Sequence, residues 1–227
     1  HLSIRRQRQM CIRDRCGGMT RFDFFVPGPD DLLYHKSWDL ETGWGPGLWP
    51  GQTGQFDVVS GITVDRRTSV AAVNYAGVAV DVVVRSKDDM VYWNQLNVMS
   101  GTWTNWVWLR GGTSAAPSLS INYATSRIDL AVADVRGFVL HKQKIAYVGA
   151  DWTPIWDAPP STKGTWYSPA VSFLSGGEVA VLIKASPPPP NHIYYSQKPV
   201  EGDWTWWADA GYMLLSLIHI SEPTRPY

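Results

Sequence analysis

Three kinds of side chain in this 227-residue chain could do chemistry. The first is tryptophan: thirteen residues, far more than a core of this size demands. Their flat apolar faces suit the C–H face of a sugar ring, and polar tips set beside them fix its hydroxyls. The second is the run Tyr34-His35-Lys36, whose alternation on an extended chain puts Tyr34 and Lys36 on one face and His35 on the other. The third is the carboxylates, Asp30-Asp31, Asp88-Asp89 and Glu201, which fall in turn-like segments where solvated charge accounts for them. Glycoside hydrolysis needs two carboxylates facing one another across a pocket. No GxSxG elbow, HExxH, P-loop or Cys-His zinc spacing occurs, nor the S-x-D-x-G-x-T-W box of sialidases, so the residues point to recognition and imply no metal or cofactor.

The elements that position these residues repeat. Arg21 to Val26 (RFDFFV) matches Ala79 to Val84 (AVDVVV), Arg127 to Val132 (RIDLAV) and Glu178 to Ile183 (EVAVLI), with Asp23, Asp81, Asp129 and Ala180 spaced 58, 48 and 51 residues apart. An aromatic strand follows as Tyr34-His35-Lys36, Tyr92-Trp93-Asn94, Leu140-His141-Lys142 and Tyr194-Tyr195-Ser196. Trp44, Trp103, Trp152 and Trp204, spaced 59, 49 and 52, open the next strand. Small-residue strands (Val70 to Tyr75, Pro117 to Tyr123, Pro169 to Phe173) precede the apolar ones. A period of roughly 40–50 residues with four short strands per unit is the mark of propeller blades. The expected fold is therefore all-β: a β-propeller of four-stranded blades in an incomplete ring, with blades at 21–51, 68–112, 114–160 and 166–210. The apolar strands read as continuous hydrophobic runs because both their faces pack against neighbouring blades. The recurrent tryptophans are expected to pack blades, and the aspartates to bond a neighbouring turn or backbone. Gln52 to Arg67 reads as a long loop between blades, and Pro187 to Pro190 as a stiff polyproline excursion at the rim.

Both ends stand outside the repeat. One set of codons for Met10 to Asp14, read on the opposite DNA strand, encodes Leu215 to His219. That element resembles the transposase end used in tagmentation sequencing libraries, so residues 1–15 and 215–227 read as translated adapter and are set aside from the fold, leaving 16–214 as the partial propeller. Gly211 to Leu214 then looks like the opening of another blade. The tails hold six of the twenty basic residues and two of the twenty acidic ones, leaving fourteen against eighteen. No basic stripe remains to neutralise phosphates, which argues against a nucleic-acid partner. Cys16 is left alone, which excludes a disulfide framework. No apolar run approaches the roughly 18 residues of a membrane helix.

The unit RFDFFV…LLYHKSW…GW, repeated as AVDVVVR…MVYWN…GTWTNW, resembles the blades of the PLL-like β-propeller lectins over residues 21–212, through Asp23, Tyr34, His35, Lys36 and Trp38. The later blades depart from it: Trp93-Asn94 and Tyr195-Ser196 stand where the His-Lys pair is expected. The resemblance implies a seven-bladed ring without catalytic activity that binds fucose or O-methylated sugars between blades, is often oligomeric, and belongs to an extracellular or secreted parent. Its partners would be glycans. Packing alone favours uniformity, so residues that differ between blades are the better binding candidates: Trp38, Trp93, Asn94, His141, Lys142 and Tyr195. His35 and Lys36 join them through the family motif. The alternatives are a propeller module of a glycoside-processing enzyme, or a protein-interaction scaffold. Long-read sequencing across the locus is expected to continue the frame past Cys16 and Leu214 into about three more blades. Genomic codons for Arg5 to Arg13 and Leu215 to Arg225 would instead make both tails native.

Overall fold

The computed structural model describes residues 10–13, 21–39, 43–45, 56–161, 163–185 and 192–212, which form strands and no helix. The first sheet runs β1 (Met10–Arg13), β2 (Arg21–Pro27), β3 (Leu33–Asp39), with β4 (Gly43–Gly45) and β5 (Asp57–Val59) both on the far side of β3. The second runs β6 (Ala71–Tyr75), β7 (Ala79–Arg85), β8 (Met90–Asn97), then β9 (Thr102–Trp103) and β10 (Val107–Gly112). The third holds β11 (Ser118–Asn122), β12 (Arg127–Ala133) and β13 (Val139–Ile145), with a bridge from His141 to Asp157 in place of an outer strand. The fourth is β14 (Ala170–Phe173), β15 (Val179–Lys184), β16 (His192–Lys198) and β17 (Ala208–Tyr212). All pairings are antiparallel and, apart from β3 with β5 and β8 with β10, join neighbours in sequence; the first strands lie side by side, β1 by β6, β6 by β11 and β11 by β14. These are successive blades of a propeller.

The core is divided among the blade interfaces. Phe25 and Leu33 of the first blade pack with Val80, Val82 and Val84 of the second. Val83, Val91 and Trp93 then meet Ile128, Leu130 and Val132, and Ala131 and Val139 meet Val179, Val181 and Ile183. Alternate residues of each second strand thus face alternate neighbours, which is why these strands are apolar throughout.

Three boundaries differ from the sequence reading. The tryptophan marker lies in a strand beside the third in the first two blades, Trp44 in β4 and Trp103 in β9, but Trp152 and Trp204 lie in connections, and the rim is completed by β5, β10, the Asp157 bridge and β17. Part of the segment read as an inter-blade loop, Asp57–Val59, is therefore the rim of the first blade. Gly211 and Tyr212 close the fourth blade against β16 and do not open another. Met10–Arg13 fills the innermost slot of the first blade by pairing with Phe22 to Phe25. Main-chain groups alone make that pairing, and an unpaired edge accepts any extended segment. The proline run lies outside the described residues, as do residues 1–9 and 213–227.

A second tryptophan in each blade latches onto the one before. Trp106 Nε1 donates to the Ser60 carbonyl at 2.9 Å, Trp156 Nε1 is shared between the Leu109 and Arg110 carbonyls at 3.0 and 3.1 Å, and Trp207 Nε1 donates to the Pro160 carbonyl at 2.7 Å. The Trp156 ring lies so close over Gly111 that a Cβ there would sit 2.8 Å from its nitrogen. Gly111→Ala is expected to destabilise the fold by about 1–3 kcal/mol through this overpacking. Gly176→Ala, whose Cβ would meet nothing nearer than 3.9 Å, should cost far less. Equal denaturation midpoints for the two variants would show that the latch is loose.

Candidate functional site

Each of the first three blades presents a buried aspartate two strands in from the rim, and that carboxylate holds a ring on the next strand. Asp23 Oδ1 lies 2.8 Å from His35 Nε2, Asp129 Oδ1 lies 2.6 Å from His141 Nε2, and Asp81 Oδ1 accepts from Trp93 Nε1 at 2.6 Å. The aspartates bond side chains, then, and not the turn or backbone expected from sequence. The remaining charge is met by cations. Arg21 and Arg127 serve the first and third within the strand, while Asp81 takes Lys144 Nζ from the following blade at 2.6 Å. Each held ring receives the next blade's tryptophan edge-on. Trp103 meets His35 at 84°, Trp152 meets Trp93 at 83°, and Trp204 meets His141 at 81°.

The residue after each of these tryptophans is a threonine, clipped to a glutamine of the third strand. Thr104, Thr153 and Thr205 donate their N–H to the carbonyls of Gln95, Gln143 and Gln197 at 2.8, 2.9 and 2.7 Å. The glutamine N–H groups return to the threonine hydroxyls at 3.1, 3.3 and 2.9 Å. The clip fixes where the Trp-Thr segment enters the rim and so defines a cleft between each blade and its predecessor.

Two such clefts are open. Between the first and second blades, a cleft of about 440 Å³ is walled by Ser60, Asn94, Trp103, Thr104, Asn105 and Trp106. Between the second and third, one of about 330 Å³ is walled by Trp108, Arg110, Lys142, Asp151, Trp152 and Thr153, among others. The register makes them equivalent: Ser60 corresponds to Arg110, Asn94 to Lys142, and Trp103-Thr104 to Trp152-Thr153. In the first, the Asn94 carboxamide oxygen accepts from the Thr104 hydroxyl at 2.8 Å. In the second, Lys142 Nζ donates to the Thr153 carbonyl and lies 5.1 Å over the Trp156 ring. Burial lowers the Lys142 pKa from its ordinary value, and the Arg110 charge lowers it further. An aromatic wall with a few fixed polar groups is the general form of a small-molecule site.

The residues singled out from sequence separate accordingly. Asn94 walls the first cleft, and Trp93 and Lys142 the second. Lys36 occupies the same slot in the first blade, 4.9 Å over Trp44 and 5.4 Å over Phe56. His35 and His141 are buried in blade interfaces, Trp38 lies against Phe22, and Tyr195 is half-buried on the outer face of the fourth blade. The structure does not bring these last four into either cleft. Sequence reading missed Trp106 and Trp156, although Trp106, Trp156 and Trp207 are spaced 50 and 51 apart, as regularly as the markers it used. It also missed Trp108, Arg110 and Asp151 at the rim.

No protein-family model matches the chain, and no curated protein does. Among solved structures it is similar to SapL1 lectin in complex with α-methyl fucoside, with a TM-score of 0.56 and 16% identity over 85% of this chain and 60% of that one. It is similar also to the fucose-specific lectin from Aleuria aurantia, at 0.52 and 12% over 88% of this chain and 59% of that one. A mutant of NanB sialidase from Streptococcus pneumoniae matches at 0.50 and 15% over 77% of this chain and 27% of that one. The chain spans about a quarter of the sialidase and about three-fifths of each lectin. The likeness is one of fold: the protein is an all-β propeller with four-stranded blades.

His141 gives the third interface a pH dependence. Burial disfavours its charged form, but Asp129 at 2.6 Å and Asp157 at 3.8 Å outweigh that, and its pKa is raised above the ordinary 6.5. A folded-state pKa above the unfolded one stabilises the fold below the unfolded value and loses that contribution as pH rises through the folded value. The urea midpoint is therefore expected to decline as pH climbs upward from 6.5, and His141→Gln should flatten that decline. An unchanged slope in the variant would assign the dependence elsewhere.

Proposed function

We propose that this protein is a non-catalytic carbohydrate-binding propeller that takes fucose-type or O-methylated sugars in the clefts between blades. The observation that carries the reading is the repeated cleft. The same Trp-Thr clip produces an aromatic-walled, polar-tipped pocket at two successive interfaces, with Trp108 still 49% exposed in the second. A stacked ring supplies affinity for the apolar face of a sugar, and the amides and charged groups beside it supply orientation. Several weak sites along one propeller would act together on a multivalent glycan. The lectins of like fold include one solved with a fucoside, which favours that sugar as the first to test. The likeness to a sialidase supports a second reading, a propeller module of a glycoside-processing enzyme.

Titration of the 227-residue chain with methyl α-L-fucoside and a glycan array is expected to show binding. Asn105→Ala in the first cleft should weaken fucoside binding, and Trp108→Ala in the second should weaken binding of the array glycans held there, both at exposed wall positions and with the melting temperature unchanged. Silence across the array would overturn the lectin reading. Turnover of aryl glycosides by the unmodified chain would establish the enzyme reading in its place.

A further inference from the structure

The three blade interfaces share one frame, and one of them is charged where the others are neutral. At the slot whose carbonyl receives the latch tryptophan, the residues are Ser60, Arg110 and Pro160. At the third-strand slot beside the clipped threonine they are Asn94, Lys142 and Ser196. Both slots turn cationic together, and only between the second and third blades. Packing does not require this, because the same frame closes without either charge on both sides of it.

Neither cation has a counter-charge among the described residues. Lys142 is 3% exposed, yet its ammonium meets only the Thr153 carbonyl and the Trp156 ring. The Arg110 guanidinium bonds no carboxylate among the described residues, and its backbone is held at a φ of 58° beside a break in the β8–β10 register. A left-handed non-glycine residue is strained, and such strain gathers at ligand sites. A buried ammonium without a paired anion is likewise costly. Asp151, the one carboxylate in the cleft wall, acts on Lys144, which is already paired with Asp81.

A third donor is open as well. Trp152, 9% exposed and part of the cleft wall, has a buried indole N–H with no acceptor. Its counterpart one blade on shows what that donor takes: Trp204 Nε1 donates to Asp157 Oδ2 at 2.8 Å, and Lys198 pairs with the same oxygen. The slot of Asp157, opposite His141, is held in the second blade by Val107, opposite Trp93. The protein thus carries the acceptor in one interface and omits it in the other, leaving Trp152, Lys142 and Arg110 around the gap.

We infer that the cleft between the second and third blades binds a carboxylate-bearing saccharide, a uronic or similar sugar acid, whose carboxylate takes the place that Asp157 fills in the next interface. This rests on the carbohydrate-binding reading and makes the two clefts unequal: the first takes a neutral sugar, the second an acidic one. Trp108 offers the ring face, Arg110 and Lys142 the charge, and the Trp152 N–H a fixed direction.

The test is a panel of methyl glycosides of sugar acids, each beside its own methyl ester, titrated against the 227-residue chain. At least one acid should bind about tenfold more tightly than its ester, as expected for one charge-assisted pair. Arg110→Gln and Lys142→Gln should abolish that preference while neutral fucoside binding at the first cleft persists. Val107→Asp should supply the carboxylate from within, suppress binding of the acid and raise the melting temperature. If every acid and ester bind alike, or if Arg110→Gln and Val107→Asp leave the preference intact, the acidic site is refuted while the lectin reading stands. If no sugar of either charge binds at either cleft, both fall.

Discussion

The contact on which this molecule depends is a tryptophan of one blade set edge-on against a ring that a buried aspartate holds in the blade before it. Neither half is stable alone. An unpaired buried carboxylate costs several kcal/mol, so Asp23, Asp81 and Asp129 must each be satisfied by a ring N–H and a cation. Asp23 is the plain case: burial would raise its pKa, but the bonds from His35 and Arg21 outweigh that and lower it. The satisfied ring then offers a rigid face on which the following tryptophan can pack, with centroids 5.2 to 6.3 Å apart. Polar satisfaction within a blade is thereby converted into orientation between blades.

The second blade shows that the rule concerns chemistry rather than residue identity. Trp93 stands where the first and third blades carry histidine, and Ala79 where they carry arginine, so the blade has no internal cation for its aspartate. Lys144 reaches in from the third blade instead, passing 4.3 Å over the Trp93 ring on the way. The loss of one local partner is repaired by an inter-blade ion pair, and the edge-on tryptophan contact survives unchanged. The fourth blade carries Ala180 and Tyr195 in these two slots, and its Leu182 is 37% exposed where Phe25 of the first blade is 1%. The apolar slot is kept in all four blades; whether it is buried depends on the neighbour.

Much of this was legible in the chain. Apolar strands with an in-register aspartate, aromatic strands and tryptophan markers share one period, and together they specify four blades and the order of their strands. The alternation at Tyr34-His35-Lys36 also assigned faces correctly, since His35 is buried while Lys36 is not. The tryptophan marker sits in a strand in the first two blades but not in the last two: a tryptophan reads as a strand residue, whereas Trp152 and Trp204 sit in connections that fold back into the interface. The partners of the aspartates were misjudged for a related reason: the ring lies twelve residues away across a hairpin, and local turn logic looks only two to four residues ahead. The latch bonds span 46 to 47 residues, a full blade, so nothing in local periodicity announces them. Their signal is a second tryptophan series at the blade period, Trp106, Trp156 and Trp207.

The division between frame and rim explains why the clefts can differ. The threonine–glutamine clip uses main-chain groups and one hydroxyl, and the tryptophan latch uses a main-chain carbonyl, so neither constrains the side chain at the slots it crosses. Ser60, Arg110 and Pro160 all accept at the same main-chain carbonyl while presenting a hydroxyl, a guanidinium and a ring. A propeller built this way can vary its rim without loosening its blades. At the rim slots the clip and the latch ask only for a main-chain group, and recognition falls to the side chains those bonds leave free. The rim slots accordingly differ from blade to blade, while the glutamine and threonine of the clip recur unaltered in three of them.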